Sequence, residues 1–146
     1  MQTLLLTHIF IGLCGIVASY IVLMGLLKKE VFLRRVKTAA FFAFLAYLIT
    51  WITGGGYYLN IYGPIIKPLI NKGEYPWAHS FFMETKEHIF LFLPIISFVI
   101  WLALISSNEH IIKNDSLRRS IMLLAALSFA ISVAVALFGV VVSGAK

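Results

Sequence analysis

Residues 77–105 read WAHSFFMETKEHIFLFLPIISFVIWLALI, an ionisable opening that runs directly into a long apolar segment. The opening contains His79, Glu84, Glu87 and His88. Ionisable side chains at membrane depth are costly, so they usually have a functional role. On a helix, Glu84 and His88 are four residues apart and share one face. The stretch therefore predicts a membrane helix with a polar site near one end.

The composition places the whole chain in the membrane class. Of its 146 residues, 61% are hydrophobic and 12% are charged, and the mean hydropathy is +0.96. Four apolar windows, at residues 4–27, 39–62, 81–105 and 117–142, each reach the about 20 residues that cross a bilayer as a helix. We predict an all-α polytopic protein, one four-helix transmembrane domain in an up-down-up-down bundle. No basic residue precedes the first window, which is also too long for a signal-peptide core, so we expect a retained helix.

The basic residues predict the orientation in the membrane. Eight of the twelve lie around the first and third connections, namely Lys28, Lys29, Arg34, Arg35, Lys37, Lys113, Arg118 and Arg119. Positive charge is retained on the cytoplasmic side of short loops. We therefore expect both termini outside, most simply in a bacterial or archaeal cytoplasmic membrane. The net charge of +6 indicates contact with the lipid bilayer, and nucleic-acid binding is not expected.

Features that are distant in sequence fall at one predicted depth, in the outer third of the membrane. His8 lies near the start of the first window, a glycine cluster at residues 54–56 ends the second, and Glu84 and His88 begin the third. The first and third helices of an up-down-up-down bundle are diagonal partners. We therefore expect His8 and His88 to face each other across the interior.

A b-type haem is the ligand that best suits two facing histidines, since its iron takes two axial imidazoles. Glycines would leave room for the macrocycle, at positions 12, 15 and 54–56, which include Gly12, Gly15 and Gly55. The propionates are expected to bind one or more of Lys67, Lys72 and Lys86 and the phenols of Tyr57, Tyr58 or Tyr62. Cys14 is the single cysteine, so the usual covalent c-type attachment is excluded.

Two other interpretations use the same residues. His8, His79, Glu84 and His88 make a mixed nitrogen and oxygen set for a copper, zinc or iron ion. Alternatively, the chain is an accessory subunit of a larger membrane complex, with its histidines as hydrogen-bonding groups. His79 follows Trp77 at the predicted boundary and is expected to be an interfacial residue. The proline-containing outer loop, residues 63–80, is expected to lie in the interface as a lid.

The pattern of four helices, a histidine in the first, a glycine cluster in the second and a histidine in the third resembles small cytochrome b-like and copper-resistance D-like membrane proteins. The resemblance covers the four-helix span in pattern and implies haem b or copper handling at an outer site, carried by His8 and His88. The chain lacks a second pair of intramembrane histidines, so one centre is expected.

We therefore expect one outer-side bis-histidine haem b in electron transfer or redox sensing. A periplasmic or membrane redox partner, a homodimer or a larger complex would complete the function. The chain has no nucleophile and base pair or phosphate loop, so no catalytic residue is assigned and a redox carrier or subunit is favoured over a stand-alone enzyme.

Overall fold

The computed structural model describes residues 2–28, 30–108 and 110–145, and all regular secondary structure within these ranges is helical. The elements are α1 (Gln2–Leu27), α2 (Leu33–Tyr57), π1 (Tyr58–Ile66), α3 (Lys67–Lys72), π2 (Ala78–Met83), α4 (Glu84–Phe90), α5 (Phe92–Ser107), α6 (His110–Lys113) and α7 (Asp115–Gly144), where π1 and π2 are π-helices. Within the described ranges, four helical segments are long and apolar enough to cross a membrane: Thr3–Leu27, Leu33–Lys72, Ala78–Ser107 and Asp115–Gly144. The predicted all-helical class with four spans is confirmed.

The second helix differs most from the prediction. It begins at Leu33 and continues through π1 and α3 to Lys72, a length of 40 residues. At a rise of about 1.5 Å per residue this is about 60 Å, twice the hydrocarbon thickness of a bilayer. Residues 63–72 of the predicted outer loop are therefore helical, and only residues 73–77 separate the second helix from the third. The interfacial position of this segment stays a prediction.

The helix continues past Pro64 because its side chains are packed. Ile61, Tyr62 and Ile66 are buried against π2 and the end of α7. Proline removes one backbone donor and normally interrupts a helix. Here the wider π-helical turns contain the proline, and tertiary burial outweighs its local effect. We call π1, α3, π2 and the end of α7 the cap.

Small residues set the distance between α1 and α2, as expected for helices that associate in lipid. A Cβ on Gly15 would lie 2.6 Å from the Tyr47 ring, and a Cβ on Gly25 would lie 2.6 Å from Val36. Tyr47 is 1% exposed, and its hydroxyl is 2.8 Å from Ser19 Oγ. The glycines of α1 therefore receive side chains of α2.

The end of the bundle opposite His8 is closed by apolar packing, and we call it the Arg118 end. Its largest buried members are Leu26, Val36, Ile100, Leu104, Ile111 and Ile121. Arg118 Nε donates to the Leu26 carbonyl at 2.9 Å, which joins the start of α7 to the end of α1. The N-terminus of α7 is capped by Asn114, whose Oδ1 accepts a hydrogen bond from the Leu117 amide at 3.0 Å.

The third span is interrupted at Leu91, between α4 and α5. This lies three residues before Pro94, in the turn where proline removes a backbone hydrogen bond.

Replacing Gly15 by alanine should separate α1 from α2, because Tyr47 is buried and held by Ser19 and cannot move aside. We expect a loss of about 1–3 kcal/mol of stability, the usual cost of overpacking. The matched control is Gly55→Ala, since a Cβ there meets nothing within 4 Å and the same change in an open helical position stabilises slightly. Thermal unfolding in detergent measures both; equal midpoints for the two variants would contradict the packing argument.

Candidate functional site

His8 is fixed against the second helix. Its Nδ1 lies 3.0 Å from the Thr50 carbonyl oxygen, which can only accept, so the proton is on Nδ1 and the lone pair is on Nε2. A Cβ on Gly54 would lie 2.7 Å from His8 Cε1. Gly54 therefore makes room for the imidazole of His8. We call this end of the bundle the His8 end.

His88 has the same tautomer but a different direction. Its Nδ1 lies 2.7 Å from the Glu84 carbonyl oxygen, one turn earlier, and its side chain is exposed. The predicted shared face of Glu84 and His88 exists, but that face points away from the bundle. It continues through exposed apolar side chains, namely Leu91, Phe92, Ile95, Val99 and Leu102. The prediction that His88 faces the interior and His8 is therefore wrong.

The reason lies on the opposite side of the same helix. Leu93, Ser97, Ile100 and Leu104 are buried in α5 and pack into the bundle. Once these residues face inward, helical geometry turns Glu84 and His88 outward. The spacing of Glu84 and His88 correctly predicted that they share a face. The spacing of the buried residues in the following turns determined that this face points outward.

His79 is buried in the cap, with 3% of its surface exposed. Its Nδ1 lies 3.1 Å from the Tyr62 hydroxyl, while its buried Nε2 has no hydrogen-bond partner in the described part of the chain. The nearest carboxylate oxygen, Glu84 Oε1, is 4.0 Å from Nε2. His79 is thus enclosed by protein side chains, and its place at the membrane interface stays a prediction. Tyr62 was expected to bind a propionate, and its contact with His79 was not predicted.

Lys86 and Glu87 point into the bundle rather than along its rim. A Cβ on Gly139 of α7 would lie 3.3 Å from Lys86 Nζ, so this glycine leaves space for the ammonium. Glu87 Oε1 and Thr50 Oγ1 are buried without a hydrogen-bond partner among the described residues. Lys67 and Tyr57, which were also expected to bind the propionates, are both half-buried.

The interior does not fit a haem between His8 and His88. The space beside Gly12, Gly15 and Gly54 is occupied by Thr50, Tyr47 and His8. Gly55 has open space but is exposed. Deeper in the bundle, a cavity of about 10 Å³ beside Ser19, Ala43, Ser97 and Ser128 has the size of a single water molecule. The glycines thus accommodate protein side chains.

The four predicted metal ligands do not form one cluster. Across residues 2–28, 30–108 and 110–145, no group of three or more His, Cys, Asp or Glu side chains is close enough to hold a metal ion. His79 and Glu84 alone approach each other through their side chains, at 4.0 Å. His88 meets Glu84 only through a main-chain carbonyl, and Cys14 is exposed.

His8 and His88 therefore share a tautomer, but they do not meet at one binding site. On His8 and His88 a main-chain carbonyl holds the Nδ1 proton and leaves Nε2 with a lone pair, the form in which imidazole binds a metal.

Comparison with known proteins adds no relative: no family model, no curated protein and no solved structure matches the chain.

Proposed function

We propose that the chain is a membrane redox subunit that binds haem b through His88, with one haem shared by two copies. The observation that supports this most directly is the exposed imidazole of His88, whose Nδ1 is held by the Glu84 carbonyl while Nε2 has no hydrogen-bond partner among the described residues. A carbonyl on the second nitrogen orients a ligating histidine and raises its basicity.

His88 is a better candidate ligand than His8. Both have the required tautomer, but the His8 ring is packed over Gly54 in a part of the bundle without room for a macrocycle. The His88 face is open, and its exposed neighbours Leu91 and Phe92 offer apolar surface to a flat ring. The ligand chemistry fits haem iron at His88, although the predicted internal pairing with His8 does not.

Two copies would supply the two axial imidazoles of a b-type haem. Each chain presents one such exposed histidine, and a two-fold axis places the same face of two copies opposite each other. Haem b, when bound, takes up and releases a single electron. The chain's part is to hold the imidazole in one tautomer and to exclude water with the apolar face.

The basic residues near the Arg118 end support an orientation with the His8 end outside. In that orientation both termini lie outside, in an up-down-up-down bundle, and the haem faces the outer side of the membrane. The electron partner would then be a periplasmic protein or another membrane subunit.

An absorption spectrum of the purified protein tests the haem. We expect a Soret band that shifts on reduction, with one haem per two chains. His88→Ala should remove the band, because it deletes the axial nitrogen. His8→Ala should retain it, as should the control His110→Ala, an exposed histidine in α6. Colourless protein after expression with ample haem, or a band that survives His88→Ala, would overturn the proposal.

The second candidate function is that of an accessory subunit. It is favoured by the presence of an acid, Glu84, and a base, His88, on one exposed face. Glu84 and His88 lie outward on a helix long enough to cross a membrane, where unpartnered ionisable groups are costly. A neighbouring membrane subunit with a complementary pair would cover them. No haem is required for this function.

Purification from native membranes in mild detergent tests this second candidate. The same larger subunits should copurify at a fixed ratio, and Glu84→Ala with His88→Ala should reduce their recovery several-fold because the covered pair is lost. Glu74→Ala, in the exposed connection at residues 73–77, is the control. Recovery of the chain alone from native membranes would contradict an accessory function.

A further inference from the structure

The cap contains an unsatisfied nitrogen that the haem proposal does not use. His79 Nε2 is buried and has no hydrogen-bond partner among the described residues. Buried polar atoms are nearly always partnered, and an exception indicates a bound water or ion. The position is therefore a candidate binding point.

Glu84 supplies the second group. Its Oε1 is 4.0 Å from His79 Nε2, too far for a direct hydrogen bond. The Glu84 side chain is 56% exposed whereas that of His79 is 4% exposed, so the carboxylate reaches the buried nitrogen from the solvent side. An atom placed between the two would be accessible from the protein surface on the Glu84 side.

We propose that His79 and Glu84 bind a divalent transition-metal ion between them, with water completing the coordination. Bonds of about 2.1 Å at a tetrahedral angle place two donor atoms about 3.4 Å apart. The Glu84 carboxylate therefore has to approach Nε2 by about 0.6 Å, a movement open to an exposed side chain. Nitrogen and oxygen donors suit zinc, copper or iron, whereas calcium and magnesium prefer oxygen alone.

Tyr62 is the positioning residue. Its hydroxyl, 3.1 Å from His79 Nδ1, can accept the Nδ1 proton, which leaves the lone pair on Nε2 directed at Glu84. Tyr62 is itself buried and stacked on Tyr58, with ring centroids 5.4 Å apart. The packed π-helical segments therefore hold the imidazole before any ion arrives, and the protein contributes only two ligands.

Lys67 works against the ion. It begins α3, which belongs to the same buried cluster as π2 and therefore to the same cap as His79. Its positive charge should weaken the binding of any cation between His79 and Glu84. Removal of that charge is therefore expected to strengthen the site, an effect that a bound water would not show.

Calorimetric titration of the full-length protein in detergent with Zn²⁺ tests the site, and Co²⁺ absorption reports nitrogen ligation. We expect one ion per chain, no binding in His79→Ala and at least tenfold weaker binding in Glu84→Gln. Tyr62→Phe should weaken binding by about 10–100-fold, as loss of a group that orients a ligand does. Lys67→Gln should strengthen it.

His88→Ala is the matched control and should leave Zn²⁺ binding unchanged, while it removes haem under the separate proposal above. Glu84→Gln alters an exposed side chain, so its effect is readable even if His79→Ala unfolds the cap. Absence of Zn²⁺ binding, the result expected of a bridging water, would overturn the site. Binding that is unchanged in both Glu84→Gln and His79→Ala would also overturn it.

Discussion

The close contact between Gly15 and the Tyr47 ring is the constraint on which the rest of the structure depends. It brings α1 and α2 to a distance that only a residue without a side chain permits, and the Tyr47 hydroxyl joins Ser19 in the same contact. In lipid, apolar burial gives little drive for helix association, so close packing and buried hydrogen bonds provide it. The position of His8 over Gly54 follows from this spacing.

Glycines also make room for side chains of neighbouring helices at other helix contacts. Val36 occupies the space beside Gly25, and Lys86 extends toward Gly139. Glycines in this protein therefore receive side chains from neighbouring helices, some of them polar. For the glycines at positions 12, 15 and 54–56, the explanation predicted from the sequence was a macrocycle, and both explanations require an absent Cβ. The two explanations are distinguished only when the structure shows which side chain lies beside each glycine.

The start of the third span sends its ionisable residues in three directions. Lys86 and Glu87 are half-buried toward the bundle, Glu84 and His88 are exposed, and His79 is buried in the cap. The Arg118 end is closed by apolar side chains. The candidate binding residues therefore lie at the His8 end, where His88 is exposed on the surface and His79 is buried in the cap.

The sequence by itself determined the all-helical class, the four helices long enough to cross a membrane and the common face of Glu84 and His88, because hydropathy and helical spacing act locally. Only the tertiary structure decided that this face points outward, that the helix continues through Pro64 to Lys72, and that His79 lies buried against Tyr62. Those outcomes depend on which side chains occupy the space between helices. Residues 17 positions apart, such as Tyr62 and His79, meet only after the cap has folded.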